Sequence, residues 1–112
     1  MMILISATWL FARVLLANEA HEQLLSSPED VRRAAFQLIV TGAGETCNAV
    51  TRIYFQGEAA GGHAVWNIDC GGDNAYSIDI APNAGGSTRL IPCRLIQHVE
   101  GRECFKPFAG RQ

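Results

Sequence analysis

Four cysteines are the residues of this chain most capable of covalent chemistry: Cys47, Cys70, Cys93 and Cys104. They are separated by 23, 23 and 11 positions, so the chain lacks the CxxC pairs typical of zinc knuckles and thiol redox centres. Two structural disulfides are therefore favoured over a zinc site or a redox pair. Because disulfides persist in oxidising surroundings, the cysteines predict a periplasmic or secreted protein.

Acidic residues and histidines offer a weaker indication of chemistry. Asp69 and Asp79 fall on one face of a predicted sheet, with His63 at the entrance of a strand, and paired carboxylates of this kind serve glycosidases. The favoured alternative is that they are ordinary solvent-facing residues. His98 and Glu100 share a strand-like spacing that suits one metal ion, but a third ligand is missing. With no GxSxG, HExxH or phosphate loop, we predict no catalytic residue, metal or cofactor.

The elements that must position these residues begin with a strongly signalled helix. Ser27 is a good N-cap, Pro28 suits the first turn, and Glu29 and Asp30 face the positive end of the helix dipole. The pattern predicts a helix over residues 28–41. Its apolar residues recur at helical spacing and are expected to face the core: Val31, Ala34, Ala35, Leu38 and Ile39.

After Gly44 the apolar residues recur every second position, which predicts strands. Four strands are expected, over residues 47–56, 65–70, 76–80 and 87–93, followed by a strand or helical turn at residues 95–99. Short turn-rich connections favour an antiparallel meander. The predicted fold class is therefore α+β, with N-terminal helices packed on a four-stranded antiparallel β-meander that carries two disulfides.

The register of the strands selects the disulfides, because apolar faces must coincide across neighbouring strands. This places Cys47 opposite Cys70 and Thr51 opposite Trp66. It also places Trp66 opposite Ile80, Ile68 opposite Ile78, Ile78 opposite Ile91 and Tyr76 opposite Cys93. Cys93 then lies roughly 10 Å or more from the first two cysteines, beyond disulfide reach. The predicted pairs are Cys47–Cys70 and Cys93–Cys104.

The first seventeen residues are mostly apolar and carry one charge, Arg13, and three interpretations remain open. A cleaved export signal would begin with a basic region, which is missing before Arg13. A membrane anchor would be short, since about 20 apolar residues are needed. A helix packed on the domain or on a partner is the third. We assign residues 1–26 to an apolar N-terminal helix and residues 27–112 to a single domain.

Composition limits the partners. The chain has 112 residues, a formal net charge of -2 and scattered basic residues, so nucleic acid is not predicted as a partner. The sheet face opposite the core combines aliphatic, Tyr and Arg character, which suits a protein partner. Its predicted partner-binding residues are Val50, Arg52, Tyr54, Val65, Asn67, Asp79 and Leu90.

Two functional hypotheses follow. The first is a non-catalytic extracytoplasmic interaction module, an accessory subunit of a membrane-associated complex, with residues 1–17 as a membrane-associating segment. The alternative is a small secreted enzyme or ligand-binding protein that uses the face of the sheet carrying Asp69, Asp79 and His63. A third and weaker hypothesis is a metal protein with Cys and His ligands.

Residues 45–108 also resemble a family. Its residues here are Cys47, the FQG of residues 55–57, Trp66 and Cys70 in a WxxxC arrangement, Tyr76, Cys93, and Cys104-Phe105. The stretch resembles small exported, disulfide-containing domains of alphaproteobacteria to which no activity is assigned. The resemblance implies an exported location and this fold, and it implies no active-site residue.

Overall fold

The computed structural model describes residues 18–108, which form three α-helices and one four-stranded antiparallel sheet. In chain order the elements are α1 (Glu19–Ser26), α2 (Glu29–Gly42), β1 (Arg52–Ala59), a 3-10 turn (Ala60–Gly62), β2 (His63–Asp69), β3 (Ala75–Ile80), β4 (Thr88–Pro92) and α3 (Cys93–Glu100). The strands follow one another across the sheet as a meander. The predicted α+β class is confirmed. The predicted helical and membrane-associating character of residues 1–17 lies outside the described residues.

Helix α1 is fastened to the sheet at its first turn. The side chain of Asn18 caps the helix by accepting from the His21 backbone N–H, and its amide donates to the carbonyls of Gly62 and Ile80. His21 is 2 % exposed and its Nδ1 lies 3.0 Å from the indole nitrogen of Trp66. Because an indole N–H only donates, Nδ1 accepts this bond. Helix α1 thus packs on the sheet through a polar contact within an aromatic cluster.

Helix α2 begins where it was predicted, but without the predicted cap. Ser27 ends α1 instead, and its hydroxyl donates to the carbonyl of Gln23. Pro28 occupies the N-cap position of α2 with no side-chain cap bond. Arg32 donates to the carbonyls of Leu24 and Ser27, so it ties the end of α1 to the start of α2. The turn between the helices is therefore held by an arginine.

Most of the apolar stripe predicted to face the core lies on the other side of α2, although Ile39 of that stripe packs against the core cluster. The buried residues are Phe36 and Val40, both 0 % exposed, whereas Val31 is 50 % and Leu38 is 72 % exposed. The ring of Phe36 lies 5.4 Å from that of Trp66. A phenylalanine buries more apolar area than the two alanines of the predicted stripe, and that area decides which side turns inward.

The strands pair in a register that differs from the predicted one. Phe55, not Thr51, lies opposite Trp66, and Ile78, not Ile80, lies opposite Trp66 on the other side. Leu90, not Ile91, lies opposite Ile78. Strand β1 begins at Arg52 rather than Cys47 and runs through a bulge at Gly57 to Ala59, so its hairpin turn comes later than predicted.

Both predicted disulfides are present, Cys47–Cys70 and Cys93–Cys104, with Cα–Cα distances of 5.1 and 5.9 Å. The geometry behind the first pair differs from the expectation. Cys47 lies in the loop before β1, and Cys70 directly follows β2, so the bond joins two loop positions rather than two facing strand residues. Two disulfides indicate that the chain folds in an oxidising, extracytoplasmic environment.

The core lies between α2 and one face of the sheet. Its buried members are Phe36, Val40, Cys47, Val50, Ala64, Trp66, Ile68, Cys70, Tyr76, Ile78 and Ile80. Ala20 and Leu24 of α1 pack against this cluster, as do Phe55 and Leu90. Gly86 allows the loop before β4 to approach α1, because a Cβ there would lie 2.7 Å from that of Ala20. We call this face of the sheet the helix side and the opposite face the back.

Candidate interaction surface

The seven residues predicted to bind a partner do not form one exposed surface in the structure. Val50 and Leu90 pack in or against the core cluster on the helix side, not on the back of the sheet. On the back, Val65 is 5 % and Asn67 is 0 % exposed. Arg52 is exposed, and Tyr54 and Asp79 are half-buried. The back of the sheet is consequently not the open surface that strand alternation predicted.

The back of the sheet is covered by the end of the same chain, residues 93–108, which we call the C-terminal segment. Ile96 of α3 is 1 % exposed and anchors this segment. Gln56 donates to the carbonyls of Glu103 and Lys106, at 3.4 and 2.9 Å. The Cys93–Cys104 disulfide closes the segment on itself.

Aromatic contacts complete the cover. Phe105 has a left-handed backbone, with φ of 63°, which is uncommon for a bulky residue. Its ring lies 6.3 Å from that of Tyr54, and the guanidinium carbon of Arg52 lies 4.3 Å from its centre. At Gly57, where φ is 145°, a Cβ would come within 3.3 Å of the Phe108 ring. Two of the seven predicted residues, Arg52 and Tyr54, therefore contact this segment.

A different apolar surface remains uncovered among residues 18–108, namely the outer side of α2. Counting 100° per residue, Val31, Ala34, Ala35 and Leu38 share a sector of the helix that contains no charged side chain. Leu38 is 72 % and Val31 is 50 % exposed. We call these four residues the outer α2 face. These four residues belong to the stripe that the sequence periodicity predicted to face the core.

A groove of about 340 Å³ runs beside the outer α2 face. The α1 wall contains Ala20, Gln23, Leu24 and Ser27, the α2 wall contains Val31, Ala35 and Ile39, and the sheet contributes Ile80, Gly86 and Thr88. Its lining is mostly aliphatic, and its volume falls in the range of sites that hold ligands or side chains, roughly 300 to 1,000 Å³.

The chain segment that contains the outer α2 face is predominantly acidic. The segment from Asn18 to Glu45 contains five carboxylates, at Glu19, Glu22, Glu29, Asp30 and Glu45. Its two arginines are directed at the protein itself. Arg32 donates to carbonyls at the end of α1, and Arg33 contacts both Glu29 and the carbonyl of Val50. The carboxylates of this segment outnumber its arginines, so its net charge is negative.

Of the residues proposed for acid–base chemistry, the structure brings two together. His63 Nδ1 lies 2.7 Å from Asp79 Oδ1. Asp69 is elsewhere: Asp79 pairs with Val65, four residues from Asp69 along β2, or about 13 Å. The Asp69 carboxylate accepts instead from the Gly71 N–H at 2.9 Å and organises the β2–β3 turn.

Within residues 18–108, no three His, Cys, Asp or Glu side chains lie close enough together to hold a metal ion. His98 and Glu100 lie on helix α3 rather than on a strand. Two positions apart on a helix, they are separated by about 200° around its axis and cannot share a ligand geometry.

Sequence reasoning missed three residues that shape this region. Asn18 and His21 attach α1 to the sheet, and the Asn-Glu-Ala-His start of that helix is a recognisable N-cap signal. Arg89 lies opposite Asp79 across β3 and β4, and only the register reveals this.

None of the helices within residues 18–108 is long and apolar enough to cross a membrane. No protein-family model, curated protein or solved structure matches this chain.

Proposed function

We propose that this protein is a non-catalytic interaction module of the periplasm or the cell exterior, which binds a protein partner through the outer α2 face. The observation that carries the proposal is the 72 % exposure of Leu38 beside Val31 on a helix sector without charge. Exposed apolar residues are common singly, but an apolar strip of about two helical turns beside a groove is typical of binding surfaces. The two disulfides support the oxidising compartment.

The occupant we propose is an amphipathic helix of the partner that carries basic residues beside its apolar stripe. Its apolar side chains would lie on Val31 and Leu38 and enter the groove next to Ala35. Lys and Arg at its edges would face the carboxylates of residues 19–45, of which only Glu29 is paired with an arginine of α2. Helix-in-groove binding of this kind relies on apolar anchors, and charge complementarity supplies orientation and speed.

The wider role we propose is that of an accessory subunit of a membrane-associated complex, with residues 1–17 as the membrane-associating segment. Their apolar composition, with Arg13 as the single charge, supports this role. Co-sedimentation of the full chain with phosphatidylglycerol vesicles tests it directly. Protein that stays in the supernatant would remove the membrane part of the proposal and leave the helix-binding part intact.

The helix-binding proposal is tested with two synthetic probes of about 18 residues, one a Leu/Lys and one a Leu/Glu amphipathic helix of identical pattern. Fluorescence anisotropy should show saturable binding of the Leu/Lys peptide alone. Leu38→Glu should weaken that binding at least about tenfold, since it places a charge in an apolar contact. Val99→Glu is the matched control, because Val99 is 76 % exposed on α3, away from the groove.

A photo-crosslinking residue at position 38 then identifies the natural occupant in native membranes and extracts. The proposal expects crosslinks to a helix with an apolar stripe and flanking Lys or Arg, and it expects none from position 99. Crosslinks to a second copy of this chain or to lipid alone, or equal binding of both synthetic peptides, would contradict it.

A further inference from the structure

A cleft of about 180 Å³ opens at the end of the sheet where the β3–β4 loop leaves β3. Most of its lining residues have polar or charged side chains, unlike those of the groove beside α2, and they are His63, Asp79, Ala81, Ser87, Thr88 and Arg89. At roughly 30 Å³ for each water-sized unit, the cleft accommodates about six non-hydrogen atoms. Its occupant must therefore be small, or the small end of something larger.

The register explains why three charged residues meet here. Asp79 lies directly opposite Val65 on one side and Arg89 on the other, so all three side chains share the back of the sheet. His63 precedes Val65 by two positions in β2 and therefore shares that face too. The cleft lies at the end of the back face, where Thr88 and Arg89 are exposed rather than covered by the C-terminal segment.

The hydrogen bonds leave one nitrogen of the histidine ring available. Nδ1 is engaged by Asp79 Oδ1 at 2.7 Å, so Nε2 is the ring atom left to contact a ligand. Among residues 18–108, no carboxylate lies within ion-pair distance of the Arg89 guanidinium. The cleft therefore presents a guanidinium without an ion-pair partner, beside an imidazole ring whose Nδ1 is already bonded to Asp79.

We propose that this cleft binds a small monocarboxylate anion, held by the Arg89 guanidinium beside the Nε2 edge of the His63 ring. Arginine presents a planar pair of N–H donors that matches a carboxylate. Asp79 orients the imidazole through Nδ1 and places one negative charge at the cleft. A single arginine beside that carboxylate suits an anion with one negative charge and disfavours a doubly charged anion such as sulfate, whose second charge would be repelled by Asp79. This site is separate from the outer α2 face and does not depend on it.

The test is an NMR titration of the full chain at about pH 6, where the acetate probe is ionised. The probes are acetate, sulfate and acetamide at constant ionic strength. Acetate should shift the His63 ring and the Thr88 and Arg89 amide resonances with saturation. Acetamide, which has the same shape without the charge, should shift none of them, and sulfate, which carries two charges, should bind several-fold more weakly than acetate.

Arg89→Gln should weaken acetate binding about tenfold, the loss expected for a charge-assisted pair of hydrogen bonds. Arg94→Gln is the matched control, because Arg94 is an exposed arginine on α3 that does not line the cleft. Arg89 is itself exposed, so the variant should fold, and an unchanged dispersion of the spectrum checks this. Shifts that do not saturate, equal shifts with acetamide, tighter sulfate binding, or unaltered affinity in Arg89→Gln would each overturn the proposal.

Discussion

The two faces of the sheet are covered by different chemistry. The helix side is closed by large apolar side chains, with Phe36 against Trp66 and Val40, Ile68 and Ile78 at 0 % exposure. The back is closed by the C-terminal segment, which contributes one fully buried aliphatic residue, Ile96, and otherwise hydrogen bonds, cation–π contacts and a disulfide. Apolar burial stabilises in proportion to area, whereas polar contacts mainly offset their own desolvation.

This difference suggests a division of labour. The helix side supplies most of the free energy of unfolding, and the C-terminal segment determines how much of the back is accessible. One buried polar atom on the back lowers the free energy of unfolding, because Asn67 Oδ1 has no hydrogen-bond partner in residues 18–108. Its Nδ2 donates to Gln56, which also accepts from Arg102. Four experiments separate the contributions of the two faces.

The largest effect is expected for Phe36→Ala on the helix side. Removing a fully buried phenylalanine leaves a cavity under Trp66 and should lower the free energy of unfolding by about 3–5 kcal/mol. Urea denaturation followed by tryptophan fluorescence measures it. Leu38→Ala on the exposed side of the same helix is the control and should change stability by no more than about 0.5 kcal/mol. Equal losses would mean that the outer α2 face is buried in solution.

Removal of each disulfide compares the two faces directly. The Cys47–Cys70 loop spans 23 residues and the Cys93–Cys104 loop spans 11. Chain entropy predicts losses of about 3.4 and about 2.8 kcal/mol for the paired Cys→Ala variants. Denaturation under identical buffer conditions gives both values. The second variant should also raise amide hydrogen exchange in β2 at Val65 and Asn67, and protection that is unchanged there would argue against the covering role of the C-terminal segment.

His21→Phe tests the buried hydrogen bond between Trp66 and His21 on the helix side. The substitution keeps an aromatic ring beside Phe55 but leaves the Trp66 indole N–H buried without its acceptor. We expect a loss of about 2 kcal/mol, within the range for an unsatisfied buried donor. Thermal and urea unfolding measure it, with His98→Phe on the exposed part of α3 as the control. A neutral result would show that the hydrogen bond between His21 and Trp66 contributes nothing to the attachment of α1.

The smallest effect is expected for Gln56→Leu on the back. The variant removes the donors to Glu103 and Lys106 and the acceptor for Asn67, so it should cost about 1–2 kcal/mol. Limited proteolysis should cut residues 101–108 faster than in the parent chain, with Gln97→Leu, an exposed glutamine of α3, as the control. If Gln56→Leu lowers the free energy of unfolding as much as Phe36→Ala does, the helix side does not supply most of the stability.

The predicted strand register differs from the observed one by an even number of residues at two of the three strand pairs. Facing apolar residues allow only even shifts, and the errors at β1–β2 and β2–β3 were even, four and two residues at the partners of Trp66. The core face was therefore predicted correctly although the pairs were not. In β4 the adjacent residues Leu90 and Ile91 are both aliphatic, so alternation cannot choose between them, and the shift there was odd. Local patterns thus determine a face more reliably than a partner.

Helix α2 likewise shows that a local sequence pattern cannot tell which side of a helix is buried. Its sequence contains two apolar arcs, one of small and medium side chains and one built from Phe36 and Val40 beside the long stems of Arg32 and Arg33. Periodicity alone favours the first arc because it contains more apolar positions. The second is buried because one large ring fills the space over Trp66, while the guanidinium groups reach backbone carbonyls.

The sequence by itself determined helix α2, the four antiparallel strands and the two cysteine pairs, since these depend on patterns along the chain, but it left residues 95–99 open between a strand and a helical turn. Only the tertiary structure decided that the outer α2 face is exposed, that the C-terminal segment covers the back, and that Arg89 joins His63 and Asp79. These outcomes depend on which surfaces pack together, and the periodicity of a single helix or strand does not show that.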